Sequence, residues 1–409
     1  FLTHNRKIYI NCDDSVLRIF NRKVYFIRRS RGFVPSPLLS PYNFRKVIFA
    51  AGGDLKNTFA FTKKNKIFLS QHIGDLETYL SVESYKKSII LFKNILEVEP
   101  EMIVYDLHPD YFSSKISKEI FPDLEKTEVQ HHHSHIASCM IDNFCKNKKV
   151  IGVALDGTGY GTDGKIWGGE FLICDYKDFE RVAHLKYLPL PGGEISIKEV
   201  WRIGAVYLYT IFGDDFLNLK IDFIRKLDRK KWEIIKNMVD RNINTPLNSS
   251  MGRLFDSVSS ILNIREKTSY EGQAAVELEM KIKETKNYPY EYEIKKEKDV
   301  YIIYPEMILK GVVEDLKRKK EIGEISFRFH ITVSDIIKNV CKVLREERKI
   351  NTVALSGGVF QNVFLTENVV KILKKEKFEV PVHNQVPPND GGISSGQAVI
   401  GFFKKIYSP

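Results

Sequence analysis

Twice along this chain, at residues 45–70 and again at 149–188, a short run rich in β-branched and aromatic residues leads into a glycine turn and then into two more such runs. The first copy reads KVIFA, AGGDLKN, TFAFTK, KIFLS; the second reads KVIGVALD, GTGYGTDG, IWGGEFLICDY, RVAHLKYL. Short runs of this kind bounded by turn residues are strands, so each copy predicts an antiparallel meander. Helical sequence follows both. A repeated strand-turn-strand-strand unit with helices after it predicts an internally duplicated α/β fold with a ligand cleft between the halves.

The rest of the chain fits around these two copies. With 409 residues, two or more packed units are expected. Residues 1–43 carry strand-like pieces at Lys7 to Asn11 and Lys23 to Ile27, then RRSRGFVPSPLLSP, whose prolines predict a linker ending near residue 43. A first lobe is then expected over 44–146 and a second over 147–409, the latter with helical insertions. Within the first lobe, a helix is expected over about 77–98 and a buried strand at MIVYD, 102–106, ending in an acid. Residues 198–349 read as mainly helical, interrupted by the strand-like YEYEI and DVYIIYP. TVALS and FEVPV read as strands of the final third, and GGVFQNVFLTENVVKILKK and GGISSGQAVIGFFKKI as its helices.

The formal charge of +11 is dispersed: clusters such as Arg28-Arg29-Ser30-Arg31 and Lys317 to Lys320 alternate with acids, which describes a solvated surface better than a nucleic-acid face. No apolar run approaches the ~18 residues of a membrane span. The start, FLTHNRKIYINCDDSV, has no h-region or cleavage site, and with Phe in first position it predicts a piece of a longer cytoplasmic protein. Cys12, Cys139, Cys145, Cys174 and Cys341 form no C-x-x-C pair and read as reduced thiols; Cys139 is expected to pack inside its helix.

VQHHHSHIASCM places four histidines within residues 131–135, at the opening of an expected helix. Residues four apart share a helix face with Cβ atoms about 5–6 Å apart, so His131 and His135 can grip one ion. His132 with His135 is a weaker i, i+3 alternative, and a polar helix start at the surface is the bland one. H-x-x-x-H without the zincin glutamate argues against a metalloprotease.

VIGVALD is expected to end at Asp156, followed by Gly157 and Thr158, where a strand-terminal acid faces the ligand crevice of an α/β fold and glycine amides approach phosphate. In PPNDGGISSG, Asp390 precedes a helix start and is either a ligand or a cap. Two histidines and two aspartates would suit iron, magnesium or manganese. Three further loops resemble nucleotide cradles: Gly192 and Gly193 before one helix, Gly272 and Gln273 at the start of another with Glu277 a turn later, and Gly357, Gly358 and Asn362 between strand and helix. For each, a tight turn is the alternative, since none of these three loops carries a Walker A or a G-x-G-x-x-G pattern. Lys56 in AGGDLKNTF is either a neutraliser of phosphate or acyl phosphate or an exposed turn lysine.

AGGDLKNTF, LSQHIGDL, VQHHHSHIASCM, LDGTGYGTDGKIWGGEF, LPGGEISIKEVWR, LSGGVFQN and PPNDGGISSGQA, spread over 50–398, are together similar to the C-terminal, Kae1-like catalytic region of the nickel–iron hydrogenase maturation carbamoyltransferase family. Residues 1–43 resemble the end of that family's preceding YrdC-like domain. The resemblance implies an actin-like ATPase fold of two lobes around a nucleotide and metal cleft, with His131, His135, Asp156 and Asp390 as ligands of a divalent metal. It implies that upstream domains convert carbamoyl phosphate and ATP into carbamoyl adenylate with release of diphosphate. The carbamoyl group then passes to the C-terminal cysteine of the partner protein HypE, on the way to cyanide, and AMP leaves. Related readings are carbamoyl transfer to a small-molecule hydroxyl, threonylcarbamoyl transfer to tRNA, and a non-catalytic nucleotide-binding scaffold. The tRNA enzymes differ where this chain has LDGTGYGTDG.

Overall fold

The computed structural model of the chain describes residues 3, 5, 6 and 8–405. These form two compact units, one within 1–148, 174–178 and 381–409 and the other within 149–173 and 179–380. In chain order the first unit contains β1 (Val16–Phe20), β2 (Lys23–Arg28), β3 (Leu38–Phe44), β4 (Ile48–Ala50), β5 (Ala60–Leu69), α1 (Tyr79–Leu96), β6 (Met102–Asp106), α2 (Phe112–Ile120), β7 (Glu125–Val129) and α3 (His131–Asp142). The second opens with β8 (Val150–Tyr160), β9 (Ile166–Cys174), β10 (Phe179–Leu185) and β11 (Leu188–Pro189), then α4 (Glu194–Lys198), α5 (Trp201–Phe212), α6 (Asp222–Lys226) and α7 (Arg229–Asp240). It continues with β12 (Leu247–Asn248), α8 (Met251–Ile261), α9 (Gln273–Met280), β13 (Glu293–Glu297), β14 (Val300–Tyr304), α10 (Glu306–Lys317), α11 (Ile322–Arg348), β15 (Val353–Ser356) and α12 (Val363–Lys375). The chain then returns to the first unit for α13 (Ile393–Lys405).

The first unit is built on a five-stranded sheet in the order β3-β5-β4-β6-β7, antiparallel at β3/β5 and β4/β5 and parallel at β4/β6 and β6/β7. MIVYD is buried throughout because both of its faces are covered, which is why it reads as an uninterrupted apolar run. Ile103 and Tyr105 turn to one face, where Phe49, Phe59 and Phe61 meet Tyr85, Ile89 and Phe92 of α1. Val104 turns to the other, where a Cβ on Gly401 of α13 would lie 2.4 Å from it. Burial of each such large apolar side chain contributes about 1.5–3 kcal/mol. Helix α1 starts where Thr78 and Ser81 form a capping box and ends where Glu97 turns left-handed.

The second unit repeats the scheme. Its first strand, β8, has a parallel neighbour, β15, on one side and the next strand, β9, on the other, as β4 has β6 and β5. Beyond β9 the sheet continues through β10, β14 and β13, with β12 and β11 attached at the end of β9.

Several sequence expectations are corrected. TFAFTK and KIFLS are not two strands but parts of one, β5, which runs through Lys64 at positive φ. The missing third strand is β3, lying in the stretch expected to be a linker. Pro41 is tolerated there because β3 is an edge strand whose register shifts between Leu39 and Phe44, so no ladder N–H is demanded of it. The expected strand at Lys7 to Asn11 is absent over 8–11, and Lys7 lies outside the described residues. FEVPV makes only an isolated bridge, Thr352 to Glu379. Residues 381–405, placed by sequence pattern with the second lobe, pack with the first unit; Ile406 lies outside the described residues.

Candidate metal centre

Parallel pairing of β6 with β7 sets Asp106 opposite Val129, so the chain leaving β7 brings His131 alongside Asp106 two residues later. Gln130 caps α3 by accepting the His133 N–H at 2.9 Å, which starts the helix at the first histidine. All four histidines are buried. The surface reading of the cluster therefore fails, because tertiary packing of α3 against α13 encloses what composition alone suggests is exposed. A Cβ on Gly396 of α13 would fall 1.9 Å from the Ser134 carbonyl, a closeness of helix approach that only glycine permits.

His131 and His135 present Nε2 toward the same carboxylate: Asp390 Oδ1 lies 3.6 Å from one and 3.4 Å from the other. These separations are long for hydrogen bonds. They suit ligand atoms around one ion, since bonds of about 2.0–2.2 Å place neighbouring donors roughly 3–3.5 Å apart. One donor atom from each of the three residues lies within 4.8 Å of the others. The donor set, two imidazoles and a carboxylate in a buried setting, fits a borderline or hard divalent metal. The turn into α13 is capped by Asn389, whose Oδ1 accepts the Gly391 N–H at 3.0 Å, so capping does not account for Asp390.

The other two histidines serve structure. His133 donates from Nε2 to the Asp175 carbonyl at 2.7 Å, and burial pushes its pKa down to about 4. His132 Nδ1 lies 3.2 Å from the Gln130 amide. At the far end of α3, Asp142 accepts the N–H groups of Asn384 and Gln385, tying the helix to the segment that carries Asp390.

The loop 51–59 between β4 and β5 is laced to the Asp390 turn. Gly52 donates to Gln397 Oε1 at 2.8 Å, and Thr58 Oγ1 donates to the Gly391 carbonyl at 3.0 Å. A Cβ on Gly53 would sit 3.3 Å from Asp390 Oδ2. Lys56 belongs to this loop, with positive φ and its N–H on Asp75 Oδ1.

In the second unit, β8 does not stop at Asp156 but runs on to Tyr160, so Gly157 and Thr158 are strand residues rather than a turn. The Asp156 carboxylate is held by two amides, Gly157 N–H at 2.8 Å and Gly358 N–H at 3.0 Å. The β8/β15 register, Ala154 beside Ser356, carries Gly357 and Gly358 there. Gly357 has φ of +106°, and a Cβ on it would lie 2.1 Å from the Leu155 carbonyl, so no other residue fits.

Helix α8 approaches through Gly252, whose Cβ would be 2.9 Å from Gly157 Cα, and places Arg253 Nη2 3.6 Å from where a Gly157 side chain would begin. Gly192 and Gly193 make a tight turn closed by Gly193 N–H on the Leu190 carbonyl. Gly272 is left-handed before α9. There Gln273 donates to Glu277, and Glu277 binds Arg265 at 2.8 Å, holding its pKa below the usual carboxylate range. Asn362 caps α12 and contacts His330. Sequence reasoning missed Asp106, Arg253 and Glu271, the last of which points at Gly157. The strand-end position of Asp106 was the one available signal.

Two family models match. The model for the carbamoyltransferase Kae1-like domain, second subdomain, covers 152–397, and the HypF Kae1-like domain covers 43–142. Carbamoyltransferase HypF of Synechocystis sp. is 36% identical over 412 residues, covering 97% of this chain and 52% of that protein. The probable carbamoyltransferase HypF of Methanocaldococcus jannaschii is 33% identical, covering 100% and 53%. The chain thus spans about half the length of these curated relatives. A crystal structure of full-length HypF in the phosphate- and nucleotide-bound form superimposes with a TM-score of 0.94 at 45% identity, covering 100% of this chain and 63% of that one. T. kodakarensis HypF gives 0.88 at 34%, covering 98% and 52%. The α/β fold expected from the sequence is the one adopted, and it is shared with these HypF structures. With the Kae1-like model matching more than half of its 409 residues, the chain belongs to the HypF carbamoyltransferase family.

Proposed function

We propose that this chain carries out the carbamoyl transfer of nickel–iron hydrogenase maturation. In this reading one divalent ion is held by His131, His135 and Asp390, with Asp156 of the second unit as fourth ligand. The carrying observation is the convergence of His131 Nε2, His135 Nε2 and Asp390 Oδ1 at spacings proper to joint ligands. The carbamoyl donor is carbamoyl adenylate, made from carbamoyl phosphate and ATP by upstream domains of a longer cytoplasmic protein. Residues 1–43 are then the end of a YrdC-like domain, followed by the first lobe. The acceptor is the C-terminal cysteine of HypE.

The bound metal would polarise the carbamoyl carbonyl or the mixed-anhydride phosphate. Gly157 and Gly358 hold the Asp156 carboxylate by their amides, and Gly157 and Gly357, beside Thr158 and Gly358, have no side chain to crowd the adenylate phosphate. Arg253, beside Gly157, and Lys56, in the loop bound to the Asp390 turn, supply positive charge to that phosphate. Gly192, Gly193, Gly272, Gln273, Glu277 and Asn362 shape the remaining walls of the nucleotide site.

The HypE thiolate forms a C–S bond to the carbamoyl carbon, the bond from that carbon to the phosphate oxygen breaks, and AMP leaves with the electron pair. Burial pushes the thiols of Cys174 and Cys341 far up, so neither serves as an internal nucleophile.

The test supplies carbamoyl adenylate and HypE to the metal-loaded chain and follows HypE by mass spectrometry for one added carboxamide. The parent should transfer and hold one equivalent of divalent metal. His131→Ala with His135→Ala should abolish both. Full metal content in the double variant would refute the ligand assignment, and no transfer with any metal would refute the acceptor.

A further inference from the structure

Asp106 is 1% exposed, and each of its carboxylate oxygens has a directed partner. Oδ1 accepts the His108 N–H at 2.9 Å; Oδ2 faces His131 Nδ1 at 2.8 Å. The first contact pins the carboxylate to the turn that follows β6, so the second has one direction in space. A carboxylate oxygen accepts, and Nδ1 of His131 must therefore carry the proton. That leaves the lone pair on Nε2, the atom aimed toward Asp390 Oδ1. Without such a partner an imidazole divides between two tautomers and turns about its outer torsion.

The placement comes from topology. Asp106 is the last residue of β6, opposite Val129, and no spacing rule links it to a histidine 25 positions later. His133, by contrast, spends its Nε2 on a backbone carbonyl and has no such lone pair to offer there.

We propose that Asp106 is a positioning residue for the metal centre, selecting the tautomer and ring orientation in which His131 can bind the ion. This rests on the reading of His131 as a ligand. Carboxylate partners of this kind stiffen a ligating imidazole and raise its basicity, and their loss typically costs 10–100-fold in metal affinity.

The test uses the full chain loaded with cobalt(II) at neutral pH, with Asp106→Ala, Asp106→Asn and His131→Ala. Cobalt affinity is read by chelator competition, ligand geometry by the visible absorption band, and folding by the thermal transition of the metal-free protein. Asp106→Ala should weaken cobalt binding about 10–100-fold and shift the band. Asp106→Asn, whose amide oxygen can still accept from Nδ1, should fall between Asp106→Ala and the parent while keeping the parent's metal-free transition. If Asp106→Ala does not fold, Asp106→Asn decides alone, with weakened binding and a shifted band expected.

Unchanged affinity and band in Asp106→Asn, with His131→Ala defective, overturns the positioning role and leaves the ligand reading intact. Unchanged affinity in His131→Ala, or a parent that binds no cobalt, overturns the ligand reading and the positioning role together.

Discussion

His330 of α11 donates from Nδ1 to the Ser326 carbonyl at 2.7 Å and accepts on Nε2 from the Asn362 amide at 2.9 Å, both ring nitrogens being used in the neutral form. Burial lowers its pKa to about 4. A histidine held neutral by folding leaves its unfolded counterpart to take the proton first, near pH 6.5. Its contribution is therefore complete above about pH 6.5 and is lost as pH falls toward 4. His72, His133 and His383, lowered to about 4, 4 and 3, act in the same direction. His330→Gln should make the decline of stability with acid shallower by about 1.4 kcal/mol per pH unit between pH 6.5 and 4. Urea midpoints across that range measure it, and parallel slopes for variant and parent would contradict the assignment. Residue type flagged the histidines at 131–135, and i, i+4 spacing picked out His131 and His135. The same spacing leaves His133 without a partner histidine, but nothing local paired His131 with Asp106, because that depends on what packs around the side chain.

At the scale of elements, the long uniform segments were legible. MIVYD and the histidine helix appear where their patterns put them, and helices dominate 198–349 as expected. Strand β3 was hidden by Pro41 and the two prolines before it, and β8 was cut short by its glycines, although neighbouring strands override both local signals. Contact between α3 and α13 depends on Gly396 and is the joint on which the His131, His135 and Asp390 geometry rests. Gly396→Ala should force the helices apart and cost about 3 kcal/mol or more. Chemical denaturation would read that loss, and metal affinity should fall with it. An alanine variant of parental stability would show that the two helices can separate without penalty.

For the molecule as a whole, three of the proposed ligands belong to one compact unit, so the ion should act as a brace for that unit. At a free metal concentration about 100 times its Kd, stabilisation of about 2.7 kcal/mol is expected, or roughly 5–10 °C in the transition of a unit this size. Calorimetry with and without chelator should show the shift in the parent and not in the double histidine variant. An equal shift in both would place the ion elsewhere. No helix among the described residues is long and apolar enough to cross a membrane.

The sequence by itself determined the α/β class, the repeat of a strand-rich unit followed by helices, the i, i+4 pairing of His131 and His135 on one helix and the family, since each is written in local pattern or in contiguous motifs. Only the tertiary structure decided that the segment 381–405 rejoins the first unit, that Asp390 stands 3.4–3.6 Å from two imidazoles, and that Asp106 backs one of them. Those are contacts between residues 25 to 259 positions apart, made by strand register and glycine-mediated helix packing, to which hydrophobic period and turn chemistry are blind.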